Sequence, residues 1–447
     1  MEEFDRDAQM RTPEASAPIL PENPEAVPFS ASVRERIGAF LMYPLAFCYI
    51  SSILAYYQEW VIWFCVFSVG FLLLGEFLCR GRRRSAESWI WLGCMALILF
   101  SILRGQYEAQ HLDEPPLHTI ESGTAFLLLH AYAVYWALCR ADALLAGGSG
   151  GQLLLDALDG VVIFPAKHFF LRIRSAFYAL THAKHAEKRS AAVRAATVLA
   201  IAAAIALLAL ALRYLSEADA QFRAALAGLL PSLEGAELVS MLLRLLLSLP
   251  VGAYLFGLLA GSAREDGAAL RARSTRITAA LDALRKVPSL LWLVVTGVFA
   301  AVYLAFFVLQ AGYLFGAFSR TLPEGYTVAE YARQGFFSLC RVMAVNFALL
   351  WLVTRSGDRR ADAHLPTRVA CTVLVGESLI FAVIAASKLA LYIDCFGFTP
   401  RRLQSAWLIA VLAVGCGCAL YTLWTRRKSA RLWIVFTGVS LALLHLV

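Results

Sequence analysis

The chain has 447 residues, 60% of them hydrophobic and 16% charged, with a mean hydropathy of +0.66; so few charges cannot coat a soluble globule of this size. Apolar runs of roughly 20 residues, the length that crosses a hydrocarbon core of about 30 Å, recur along the chain, and they are continuous rather than alternating, which excludes a β-barrel. The formal charge of +8 is no nucleic-acid footprint, because the basic residues sit in short loops between apolar runs, the usual orientation bias of a membrane protein.

Residues 1–30 form an acidic, Pro-rich tail with Glu2, Glu3, Asp5, Asp7, Pro13, Pro18, Pro21 and Pro24. It has neither a basic n-region nor an apolar h-region, so it is not a cleavable signal. Its composition predicts disorder, since it holds too little apolar surface to offset ordering entropy. A first membrane section, 31–139, carries spans over about Ile37–Tyr57, Trp60–Cys79, Trp89–Leu103 and Gly123–Cys139. A cytoplasmic connector follows over 140–189. There the flexible Gly147–Gly151 run leads into VVIFPAKHFFLRIRSAFYAL, where Phe164, Phe169, Phe170, Phe177 and Tyr178 interleave with Lys167, Arg172 and Arg174. That mixture predicts a basic amphipathic helix lying in the headgroup plane. The second membrane section, 190–447, carries spans over about Ala191–Leu212, Leu238–Gly261, Leu290–Phe315, Phe336–Val353, Val369–Ile393, Leu403–Trp424 and Leu432–Val447.

The expected fold is therefore all-α, a polytopic transmembrane helical bundle of about 11 spans. Lys and Arg set its sidedness. Alternate loops hold Arg80 to Arg84, Lys184 to Arg189, Arg264 to Lys286, Arg355 to Arg368 and Arg426 to Arg431. The opposite set holds only Arg104, Arg213, Arg223, Arg320, Arg333, Arg401 and Arg402. The positive-inside rule then puts the N-terminus inside and the C-terminus outside.

Catalytic and metal signatures are absent from the sequence: there is no phosphate-cradling Gly-rich loop and no HExxH. His182 and His185 lie a helix turn apart without a further ligand, so they read as a solvated basic face. Ten scattered cysteines, with Cys416 and Cys418 on different sides of one helix, read as small core residues rather than a zinc site or disulfides. No metal, cofactor or nucleic-acid partner is expected. The expected partners are the lipid bilayer, an anionic lipid or small anion, and a membrane or cytosolic protein.

Polar residues inside spans carry the functional signal. Glu377 lies nine residues past Arg368, roughly 13 Å deep at about 1.5 Å per residue. Lys388 follows eleven residues later and returns to nearly the same helix face. Arg244 and Arg341 sit one or two turns inside the outer ends of their spans. In YTVAEYARQGFF, Thr327 and Glu330 have capping-box spacing, so a helix starts there and delivers Tyr331, Arg333 and Arg341 to one region. Gly397 and Pro400 break the chain beside Tyr392, Asp394, Arg401 and Arg402. Arg244, Arg341, Lys388, Glu377, Tyr331, Arg333, Tyr392, Asp394 and Arg401 thus form a candidate outward-facing basic site for an anion. The competing reading is snorkelling of the basic groups with a structural pair to Asp394 or Glu330.

The runs LPEGYTVAEYARQGFFSLC and KLALYIDCFGFTPRRL resemble hallmark segments of a bacterial multi-pass membrane family catalogued as a domain of unknown function of the 4153/4173 type. The similarity covers about Pro288 to Val411, with Ser338 standing where an acidic residue is expected and Phe398 where Leu is expected. It implies a bacterial cytoplasmic-membrane protein and carries no activity with it. Three functions stay open: a non-enzymatic protein that binds or moves an anionic solute or lipid, a sensory or scaffolding subunit, and an enzyme acting on envelope lipids.

Overall fold

The computed structural model describes residues 29–54, 60–82, 84–111, 122–181, 235–312, 327–361 and 363–446, with Gly316, Phe318 and Gly325 between. The expected span Ala191–Leu212, the His182/His185 pair and most of the acidic tail lie outside the described residues. Among the described residues the structure is helical throughout, with one isolated parallel bridge between Val287 and Gly357.

Four long helices come first: α1 (Val33–Leu54), α2 (Trp60–Leu78), α3 (Ala86–His111) and α4 (Ser122–Ala141). Ser32 and Glu35 exchange bonds at the start of α1. The Glu35 N–H donates to Ser32 Oγ at 3.2 Å and the Ser32 N–H to Glu35 Oε2 at 2.7 Å, which satisfies donors that no helical carbonyl can reach. After α4 the chain does not cross again at once. It forms α5 (Leu153–Leu158), a π-helical turn over Asp159–Ile163, α6 (Phe164–Lys167) and α7 (Leu171–Thr181).

The single amphipathic helix expected over this connector is thus two helical pieces. The break falls at His168, which leaves the helical region (φ −107, ψ 18) while Nε2 lies 2.8 Å from Glu265. Nor does α7 lie free. Arg172 donates to the Ala39 carbonyl of α1 at 3.1 Å, and Phe164 and Leu171 are buried. Phe170, Ile173, Phe177 and Leu180 keep an exposed apolar stripe on the other side.

The remaining helices are α8 (Gly235–Phe256), extended by a π-helical turn over Gly257–Gly261 and a last turn Ser262–Arg264, then α9 (Gly267–Asp282), α10 (Ser289–Leu309), α11 (Val328–Ser356), α12 (Leu365–Phe396), α13 (Pro400–Thr425) and α14 (Ala430–Leu444). Nine helices among the described residues are long and apolar enough to cross a membrane, and Ala430–Leu444 is a shorter apolar helix. The protein is an all-α, multi-pass membrane bundle.

Among the described residues two large apolar cores divide it, with a small third cluster of Tyr331 and Leu391 at the start of α11. The first joins α1 to α4 with the connector and α8, around Trp136, Phe64, Phe71 and Phe256. The second joins α10 to α13, around Phe381, Leu374, Ile384 and Met343. Helix α14 bridges them: Trp433 stacks on Phe347 with ring centroids 5.5 Å apart, while on the other side Tyr132 donates to the Gly438 carbonyl at 2.7 Å. Helix α10 packs on α12 along one side and leaves Leu290, Val294, Val298, Val302 and Val308 exposed. Such a face has its favourable environment in lipid.

Candidate functional site

Helices α11 and α12 pack antiparallel and hold the buried Asn346, Glu377, Ser378 and Lys388. Thr327 caps α11 through the expected capping box with Glu330, the Glu330 N–H donating to Thr327 Oγ1 at 3.3 Å and the Thr327 N–H to Glu330 Oε2 at 3.2 Å. One turn inside that start, Tyr331 is fully buried. Lys388 of α12 meets it there: its Nζ stands 4.0 Å from the Tyr331 ring centroid, and Lys388 itself is 0% exposed. Gly335 makes this approach possible. A Cβ at that position would fall 2.6 Å from Lys388 Nζ and 2.7 Å from its Cδ, so any larger residue displaces the amine.

Glu377 occupies the same buried face of α12 as Lys388, as the eleven-residue spacing requires. It is 8% exposed, and among the described residues its Oε2 has no hydrogen-bond partner. At the level of Glu377, away from Lys388, a relay runs across three helices. Tyr303 of α10 donates its hydroxyl to Asn346 Oδ1 at 2.7 Å, Asn346 Nδ2 donates to Ser378 Oγ at 2.8 Å, and Ser378 Oγ donates to the Leu374 carbonyl at 2.9 Å. Ser378 is ten residues from Lys388, about 15 Å along the helix. Sequence reasoning missed Tyr303, Asn346 and Ser378. The signal was Asn346, an amide in the middle of the apolar run MAVNFALL, which in hydrocarbon requires a partner on a neighbouring helix.

The other candidate residues are distributed unevenly. Arg341 and Arg333 are exposed on α11, and Asp394 and Arg401 are exposed at the turn between α12 and α13. Gly397 ends α12 with φ 76, a conformation that costs a residue with a Cβ. In the same turn the Arg402 guanidinium stands over the Tyr392 ring at 4.2 Å. Arg244 is on α8, which packs chiefly on α1 and α7 and belongs to the first core. So Lys388 and Tyr331 are brought together, Glu377 shares their face, and Arg244 belongs to a different part of the bundle.

The basic loops meet at the opposite end and are largely occupied there. Arg82 donates to the Ala141 carbonyl at 2.5 Å and to the Ala263 carbonyl, capping two helix C-termini. Arg84 and Arg140 both pair with Glu76. Arg431 pairs with the buried Glu87 at 2.8 Å, and Arg273 with the buried Asp159 at 2.8 Å. Beyond the membrane helices, Glu265 receives Lys167 at 2.6 Å and His168 at 2.8 Å. Burial alone raises the Glu265 carboxyl, and the two donors outweigh it and hold it below its ordinary value. No group of three or more His, Cys, Asp or Glu residues among the described residues could hold a metal, and the cysteines are free.

Comparison with curated proteins and with solved structures gives no match. A protein-family model described as a domain of unknown function (DUF4153) matches residues 41–447, nearly the whole chain. The buried α11–α12 pair, the capped start of α11 and the broken end of α12 therefore belong to a chain that is a member of the DUF4153 family.

Proposed function

We propose that this protein binds or moves an anionic solute or lipid through a site built on Lys388 and Tyr331, facing outward from a bacterial cytoplasmic membrane. The observation that carries the reading is the burial of Lys388 between two membrane helices. On insertion scales a basic side chain costs about 2.5–3.5 kcal/mol at the centre of a span and less toward its edge, where Lys388 lies, while an amine over a desolvated ring recovers about 2 kcal/mol. A methionine fits the same stem without that cost, so the amine itself is what the position requires. Arg333, Arg341, Asp394 and Arg401, exposed near the same end, form the polar approach to it. Glu377, on the same face of α12 and deeper in the bundle, is the group that movement rather than binding alone would use. The scaffolding alternative is weaker, since Arg84, Arg140, Arg264, Arg273 and Arg431 of the basic loops are paired with carboxylates of the same chain. The lipid-modifying enzyme has still less support, with no metal cluster among the described residues.

Lys388→Met, Lys388→Arg and Gly335→Ala test this reading together. Purified protein is heated in detergent against a series of anions: phosphate, sulfate, small carboxylates and phosphatidylglycerol. One anion class is expected to stabilise the wild type, to lose its effect in Lys388→Met, and to weaken in Gly335→Ala, where the charge remains but the amine is displaced. If no class distinguishes wild type from Lys388→Met, and that variant only melts earlier, Lys388 is a structural residue and the proposal is wrong.

A further inference from the structure

At the end of the bundle opposite Tyr331 lies a cleft of about 640 Å³, formed where the start of α1 meets the ends of α2 and of the helix that extends α8. Its lining includes Arg34, Arg80, Arg82, Arg264 and Glu35, with Leu78 and small residues on the apolar side. The charges do not cancel. Arg264 is paired with Glu35, but Arg34 and Arg82 donate to backbone carbonyls, of Arg80 in the first case and of Ala141 and Ala263 in the second. Carbonyl oxygens orient a guanidinium without neutralising it. Arg34 and Arg80 are exposed, and each guanidinium has five N–H donors in a fork that matches phosphate oxygens.

We infer that this cleft is a phosphate-binding site, distinct from the Lys388 site and at the other end of the bundle. Its ligand is a phosphoryl group held by Arg34, Arg80 and Arg82, with the apolar Leu78 side receiving whatever the phosphate is esterified to. A phospholipid headgroup and a soluble phosphate share this chemistry, and the site's place at the helix ends gives access to both.

The test uses the full-length protein in detergent, Arg80→Gln and Arg34→Gln as cleft variants, and Arg276→Gln as a control at an exposed arginine on α9 outside the cleft. Phosphatidylglycerol is titrated in and bound copies are counted by native mass spectrometry; inorganic phosphate is then added as competitor. Arg80→Gln is expected to weaken retention about fivefold, the factor that one basic residue near an anionic surface contributes. Arg34→Gln should do the same and Arg276→Gln should not. Loss of lipid in the cleft variants without competition by phosphate identifies a lipid headgroup as the ligand; competition by phosphate identifies a soluble phosphoryl group. Equal retention by Arg80→Gln and wild type, or an equal loss in Arg276→Gln, overturns the site. Arg80 is exposed and makes no side-chain hydrogen bond or ion pair among the described residues, so its variant answers the question even if Arg34→Gln fails to fold.

Discussion

Asp156 shows how one buried carboxyl in the connector sets a pH dependence. It is 1% exposed, and burial, with Asp159 close by, pushes its carboxyl from 3.8 up to about 6, against the Leu145 N–H and Arg273. The Leu145 N–H donates to Asp156 Oδ1 at 2.8 Å, so an oxygen is needed there although a charge is not. The folded protein binds this proton more tightly than the unfolded chain does. Stability from this group is therefore full below pH 3.8, falls as pH rises toward 6, and stays low above it. The displacement corresponds to ~3 kcal/mol at neutral pH. Asp156→Asn keeps the acceptor and removes the charge, so it should melt higher than wild type at pH 7.5, with the difference shrinking as pH falls from 6 to 4. Melting curves of both proteins across that range check it, and a difference that does not change with pH rules the mechanism out.

Helices differ in how much of them the sequence makes legible. Long apolar runs announce the membrane helices, and the start of α11 was readable from Thr327 and Glu330 because a cap is a local bond. The end of α12 was readable for the same reason, from Gly397 and Pro400. The Tyr303–Asn346–Ser378 relay was not, because it depends on the rotation of three helices about their own axes, which packing sets. The separation of Arg244 from Lys388 is likewise a matter of tertiary packing; both lie near predicted span ends, and nothing local says which helix neighbours which. The break at His168 escaped notice because the basic and aromatic pattern runs straight through it, while its partner Glu265 is 97 residues away. The stripe of Phe170, Ile173 and Phe177 on α7 leads to a prediction at this scale. With the buried side of α7 on α1 and α8, the stripe should sit in the acyl boundary. Labels attached to single cysteines at 170, 173 and 177, in a background without the exposed Cys395, should be quenched from the lipid phase and shielded from water. A label at 174 should show the reverse. Uniform quenching by a water-soluble agent would mean the connector stands off the membrane.

The arrangement of helix ends bears on the topology of the whole molecule. Arg264–Glu35, Arg82–Ala141, Arg431–Glu87 and the Val287–Gly357 bridge tie the starts of α1, α3, α10 and α14 to the ends of α2, α4, α8 and α11. Trp424 donates to Thr372 at 3.1 Å, adding the start of α12 and the end of α13. Every basic loop described is thus at one end of the bundle. The end of α14 is at the other, where Ser101 donates to the His445 carbonyl at 2.6 Å and Arg104 to the Leu446 carbonyl at 2.9 Å. We propose from the positive-inside rule that the basic end faces the cytoplasm, with the start of α1 inside and the end of α14 outside. The connector obeys the same geometry. Tyr178 packs on Phe29 with ring centroids 6.1 Å apart, so α7 ends at the basic end, whereas α8 runs toward that end and begins at the other. A reporter that folds only in the cytoplasm should be silent when fused after Val447 and active when fused after Thr181. A reporter that folds only outside should give the opposite pair. Activity of the cytoplasmic reporter after Val447 would invert the assignment of the basic end, and with it the outward direction given to Lys388.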